Sequence, residues 1–129
     1  MDTELFLSML RMESTSGSEM GFSEFLASAL KTPECTLEKF DVGDGTQNLL
    51  FSWGTPEVVF CTHMDTVPPY IAPTVETLEN GDVRFRGRGT CDAKGQIFCQ
   101  WSACQELHKM GYTGFGLLLL SGEETGSFG

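Results

Sequence analysis

The chain has 129 residues, 40% of them hydrophobic and 20% charged, with 18 acidic against 8 basic side chains for a formal net charge of −10. That length carries one domain with a real core, and the composition excludes wholesale disorder. The acidity argues against nucleic acid or an anionic membrane as the main partner, because both select clustered Lys and Arg.

No apolar run approaches the ~18 residues of a membrane-spanning helix. Met1-Asp2-Thr3-Glu4 lacks the basic start of a secretory leader, so a cytoplasmic location is expected. The five cysteines are odd in number and none are paired as C-x-x-C, which disfavours a disulfide scaffold or a zinc finger. Buried free thiols are the expectation.

In chain order, Leu5, Phe6, Met9 and Leu10 share one face of a helix over residues 3–12. A polar loop follows, in which Ser16 and Glu19 have the spacing of a capping box. Phe22, Phe25, Leu26, Ala29 and Leu30 then mark an amphipathic helix over 18–31, closed by Pro33. The period changes after Cys35. Residues 36–40 and 48–53 read as short extended segments, and the apolar run 58–61 as a strand buried on both faces. Residues 75–79 and 83–86 flank Asn80-Gly81, a hairpin signal. Residues 92–110 read as a helix closed by Gly111, with Ile97, Phe98, Trp101, Cys104 and Leu107 inward, and 115–120 as a buried strand. Trp53 is also assigned to the core. Helices alternating with apolar strands predict an α/β domain in which a mixed sheet is flanked by helices.

Ligands in such sheets gather beyond the carboxyl ends of strands. Three polar clusters lie at such places. The first is Thr62-His63-Met64-Asp65-Thr66-Val67-Pro68-Pro69. In an extended segment His63 and Asp65 project to the same side, so the carboxylate can fix the imidazole tautomer and raise its basicity as a metal ligand. A lone H-x-D is more often a strand-end histidine held by a hydrogen bond. The second cluster is Gly87-Arg88-Gly89-Thr90-Cys91-Asp92-Ala93-Lys94-Gly95, where Asp92 alone would read as a helix N-cap. A phosphate loop fails here because Lys94 precedes Gly95, and the dinucleotide fingerprint lacks its last glycine. The third cluster is Glu123-Glu124 after the run of leucines. Two carboxylates crowded at a strand mouth repel, and a divalent metal relieves that. One imidazole among several carboxylates suits zinc, cobalt or manganese better than calcium.

These three blocks, ending in Ser121-Gly122-Glu123-Glu124-Thr125-Gly126, resemble the signature blocks of one metallohydrolase family. It includes acetylornithine deacetylase, succinyl-diaminopimelate desuccinylase, aminoacylase and glutamate carboxypeptidase. His63 and Asp92 lie 29 residues apart and Asp92 and Glu123 lie 31 apart, as in the family, and the resemblance spans essentially the whole chain. It implies a zinc-exopeptidase-like catalytic domain with two divalent ions, most often zinc. His63 would bind the first ion and Asp65 would orient it. Asp92 would bridge both ions, Glu124 would bind the second, and Glu123 would be the general base. A cis peptide is expected after Asp92. The reaction implied is hydrolysis of an amide bond in a small N-acyl amino acid or peptide.

Family members are longer. They add an acidic ligand after the Glu-Glu block, a late histidine, and a lid or dimerisation domain. Residues 1–129 are therefore expected to be the N-terminal part of a single catalytic domain, binding metal weakly and turning over little alone. The strand at 115–120 would lose covering neighbours, and self-association would bury the surface so exposed. His108 lies 16 residues beyond Asp92, about 24 Å along a helix, too far to complete the site. Arg84 and Arg86 read as a solvated face of the hairpin, and Cys91 lacks a base to make it a nucleophile. The rival function is a non-catalytic relative acting as a folded binding or dimerisation module.

Overall fold

The periodic segments fold much as their spacing dictates. The computed structural model describes residues 2–127 and 129. Helix α1 (Thr3–Arg11) is capped by Asp2, whose carboxylate accepts the Leu5 amide at 3.0 Å, and it buries Phe6, Met9 and Leu10. Helix α2 spans Met20–Ala29 and helix α3 Lys94–Lys109. The strands are β1 (Thr36–Gly43), β2 (Thr46–Trp53), β3 (Val58–His63), β4 (Thr74–Thr77), β5 (Val83–Arg86) and β6 (Phe115–Leu120).

Four strands form one mixed sheet in the order β1-β2-β6-β3. The β1–β2 and β2–β6 pairs are antiparallel, and β3 runs parallel to β6. Leu49, Phe51 and Trp53 of β2 lie directly opposite Leu119, Leu117 and Phe115 of β6. With a side-chain period of two, these six share one face. That face packs with Phe6, Met9, Leu10, Phe22, Leu26, Ile97 and Cys104 of the three helices into a single core. The Trp53 and Phe115 rings stack at 5.1 Å. The opposite face is more open: Leu50, Leu118 and Leu120 are half-buried. Strands β4 and β5 form a separate hairpin.

Several expectations need correcting. The run 58–61 is not buried on both faces. It begins an edge strand, with Val58 and Val59 58% and 45% exposed. An unbroken apolar run cannot distinguish a central strand from one that lines an edge. Within the sheet β6 is paired on both sides, and it is its outer face, with Leu118 and Leu120 half-buried, that is the more open one. The hairpin expected at Asn80-Gly81 does form, its turn closed by the Leu78 amide donating to the Asp82 carbonyl. Only Cys35 and Cys104 are buried; Cys61, Cys91 and Cys99 are exposed thiols. Trp101 is only partly buried, and its indole donates to the Leu30 carbonyl at 3.3 Å.

The start of α3 is fixed from below by Lys94, which is 1% exposed. Its ammonium donates to the Met9 carbonyl at 3.0 Å and to that of Met12, and lies 4.6 Å over the Phe22 ring. Burial lowers its pKa to about 8, against the opposing charge of Glu13. Carbonyls at the end of α1 are thus capped by a side chain from a distant helix. Gly95 completes the fit: a Cβ there would stand 2.1 Å from the Thr90 carbonyl oxygen. Backbone rather than a flexible side chain blocks that space, so Gly95→Ala must displace the 90–95 loop. The expected cost is about 1–3 kcal/mol, measured by urea unfolding. A stability equal to wild type would show that the loop is not packed this tightly.

Candidate metal centre

Because β3 and β6 are parallel and in register from Val58↔Phe115 to His63↔Leu120, the segments leaving their carboxyl ends emerge side by side. One carries His63 and Asp65. The other enters a short 3₁₀ turn, Glu123–Thr125, that carries both glutamates. The loop before α3 adds Asp92. Four of the five residues singled out from the sequence, His63, Asp92, Glu123 and Glu124, therefore line one cleft of about 500 Å³ together with Thr62 and Gln96, and the fifth, Asp65, is bonded to His63 and to the glutamate turn beneath it.

Asp65 is fully buried at the base of the cleft. Its carboxylate accepts the Ser16 hydroxyl at 2.6 Å and the amides of Glu123 and Glu124 at 3.1 Å each, and stands 3.2 Å from His63 Nδ1. Burial opposes ionisation, but the hydrogen bonds from His63, Ser16 and the two amides outweigh it and hold the carboxyl at about 2. His63 Nδ1 also lies 2.9 Å from the Asp65 carbonyl oxygen, so this nitrogen carries the proton. The other nitrogen, Nε2, faces Asp92 at 2.9 Å and Glu123 at 3.7 Å. The hydrogen bond to Asp65 lifts the imidazole to about 9 against the effect of burial, with further help from the Asp65 and Asp92 charges.

Asp92 does not cap α3. The cap position is Ala93, and the peptide between the two is cis, as the family resemblance implies. The Asp92 side chain is 61% exposed and directed at His63. Glu124 is the third converging group: one donor atom from each of His63, Asp92 and Glu124 lies within 4.8 Å of the other two. Burial raises the Glu124 carboxyl above its ordinary value, and the neighbouring Asp92 and Glu123 charges add to this while His63 opposes it.

The donor set fits a divalent cation. Four carboxylates surround one imidazole, and among the described residues no lysine or arginine pairs with any of them. One ring nitrogen with carboxylate oxygens is the ligand mixture zinc accepts. His108 lies in the last turn of α3, at the far end from Asp92.

Two residues of this site escaped the sequence reading. The spacing of Ser16 and Glu19 predicts a capping box, but α2 begins at Met20 with no side-chain cap. Ser16 instead bonds Asp65, and the buried Glu19 carboxylate accepts the Gly122 amide at 3.0 Å. Their local spacing matches a helix cap, and only the distant partners distinguish the two uses.

The His63–Asp65 pair has a pH signature. The imidazole titrates near 6.5 in an unfolded chain and near 9 here. Its contribution to stability is therefore complete below pH 6.5 and lost as pH rises through 9. In chelator-treated protein, the stability difference between wild type and His63→Gln should shrink by up to about 3 kcal/mol between pH 6 and pH 9.5, by urea unfolding. A difference independent of pH would contradict the pairing.

Comparisons with known proteins agree with this geometry. Residues 59–129, more than half of the chain, match the model of "Peptidase family M20/M25/M40". A "Peptidase M20 domain-containing protein" of Schizosaccharomyces pombe is 34% identical over 134 residues, covering 97% of this chain and 32% of that protein. A protein named "Probable carboxypeptidase" from Aspergillus flavus is 32% identical over 136 residues, covering 94% and 32%. This chain thus spans about a third of the length of the curated relatives it matches. Among solved structures, a tripeptidase from Staphylococcus aureus superposes with a TM-score of 0.79 at 20% identity, covering 96% of this chain and 36% of that one. A di-peptidase from Saccharomyces cerevisiae gives 0.74 at 16%, covering 95% and 32%. The likeness to these structures is one of fold. The match to the family model includes all three polar blocks that form the cleft, and by that match the chain is a member of peptidase family M20/M25/M40.

Proposed function

We propose that the cleft serves metal-dependent hydrolysis of an amide bond, with a small peptide as the substrate class. The observation that carries this is the convergence of His63, Asp92 and Glu124 donor atoms within 4.8 Å. Peptide substrates are favoured over N-acyl amino acids because the relatives and structural neighbours bear the names of a carboxypeptidase, a tripeptidase and a di-peptidase.

His63, Asp92 and Glu124 would hold the metal, with Asp92 shared if two ions bind. Zinc suits the donors best, cobalt and manganese next. A bound divalent ion would polarise the scissile carbonyl and make water a stronger acid. Asp65 would keep the proton of His63 on Nδ1, leaving Nε2 to face the metal. Glu123 would take a proton from the attacking water and deliver it to the leaving amine. Its carboxylate is half-exposed and close to His63 Nε2 without being one of the three converging donors, which suits a group that must shuttle a proton.

Zinc titration by calorimetry tests this. The wild-type chain is expected to take up zinc, Asp92→Ala to bind at least tenfold more weakly, and Glu123→Gln to bind within about threefold of wild type. Ligand loss and base loss are separated in this way. Uptake no greater than that of Asp92→Ala would sink the metal reading and leave a folded binding module. Cleavage of an N-acetyl amino acid by the zinc-loaded chain, with no response to a dipeptide, would transfer the substrate class to deacylation.

A further inference from the structure

The two segments that carry the cleft leave adjacent strands, but strand pairing ends at His63↔Leu120. Beyond that point the direct link between them is the Asp65 carboxylate, which accepts the Glu123 and Glu124 amides, and a metal or catalytic constellation tolerates only about 0.5 Å of misplacement. A second connection comes from the loop between α1 and α2. Its first half grips the His63 segment. The Ser14 hydroxyl donates to the Met64 carbonyl at 2.8 Å, the Ser14 carbonyl accepts the Thr66 amide at 2.9 Å, and the Ser16 amide donates to the Thr66 carbonyl at 3.2 Å. Thr15 and Thr66 form a parallel bridge. Its second half grips the glutamate turn, where the Glu19 carboxylate accepts the amide of Gly122. Gly17, at φ +89°, supplies the left-handed turn between the two halves. The Ser16 hydroxyl closes the arrangement on Asp65, the residue that both segments share.

We propose that the loop over residues 14–19 is a clamp that sets the spacing between the His63 segment and the Glu123–Glu124 turn, with Ser16 and Glu19 as its positioning residues. Neither side chain reaches the converging donors; both act through Asp65 and Gly122. Ser14 and Glu19 are fully buried, which for a serine and a glutamate on a loop requires specific partners. The partners lie 50 and 103 residues away along the chain. Among the described residues the second oxygen of Glu19 has no partner, so the bond to the Gly122 amide is the contact that holds the carboxylate.

The proposal rests on the cleft being a metal site, and the test separates the two. Amide hydrogen exchange at Glu123 and Glu124 is measured in the chelator-treated chain, and zinc affinity by calorimetry, for wild type, Ser16→Ala, Ser16→Thr, Glu19→Ala and Glu19→Gln. Ser16→Ala and Glu19→Ala are expected to exchange at least tenfold faster at these two amides while exchange in β6 is unchanged. They should also bind zinc about 10- to 100-fold more weakly. Ser16→Thr keeps the hydroxyl and Glu19→Gln keeps an acceptor for Gly122, so both should restore wild-type values, and they remain informative if Glu19→Ala fails to fold. Unchanged exchange at Glu123 and Glu124 in Ser16→Ala overturns the clamp. So does zinc affinity in Ser16→Ala equal to that of a wild-type chain that binds zinc. If wild type binds no zinc, the metal reading fails by itself and the exchange data alone decide for or against the clamp.

Discussion

One carboxylate organises the site. Asp65 draws donors from three stretches of chain: the hydroxyl of Ser16, the ring of His63 and the amides of Glu123 and Glu124. A buried carboxylate without such donors would be costly, so the fold that buries Asp65 must also bring those segments to it. The same contacts that ionise Asp65 at low pH assign the histidine tautomer and orient the glutamate turn. The geometry of the cleft and folding stability are coupled through the same atoms, and changes at this residue cannot be confined to either.

The sheet supplies the frame. A parallel pair places two carboxyl ends at the same edge, and here β3 and β6 are that pair. The antiparallel β2 on the other side of β6 contributes the matching apolar residues that lock β6 in register. Slipping β6 by one residue would turn Leu117 and Leu119 out of the core and move Glu123 and Glu124 away from Asp65. The leucine run thus holds the site at a distance: it fixes where the following turn begins. Lys94 and Gly95 perform the same service for Asp92, anchoring the start of α3 against α1 and against the Thr90 carbonyl.

Much of this was legible in the sequence, for physical reasons. The helical period is strong where one face is buried, so α1, α2 and α3 could be read from spacing, and β6 from its short apolar run. The polar blocks lie directly at strand ends and a helix start, where the fold class concentrates ligands, so His63, Asp65, Asp92, Glu123 and Glu124 could be named together. The illegible features are those decided by long-range partners. Val58 and Val59 look like core residues because burial is a property of the whole sheet, and theirs lies at its edge. Asp92 has the composition and position of an N-cap, yet its side chain turns to His63. Ser16 and Glu19 satisfy a local capping rule whose bonds are never made, because each finds a partner far along the chain.

Exposure grades the acidic groups by task. Asp65 is sealed and its lone pairs are occupied by protein donors, so it can orient but has nothing left to offer an ion. Asp92, Glu123 and Glu124 retain access to solvent and carry few protein donors. On the proposed reading, groups that would exchange partners during a reaction need that freedom, while the group that aims them must not share it. Repulsion among the three more accessible carboxylates is the complementary half of the design. A bound cation would relieve it. The charge pattern therefore favours cation capture electrostatically, while the rigid base beneath it favours the same capture geometrically.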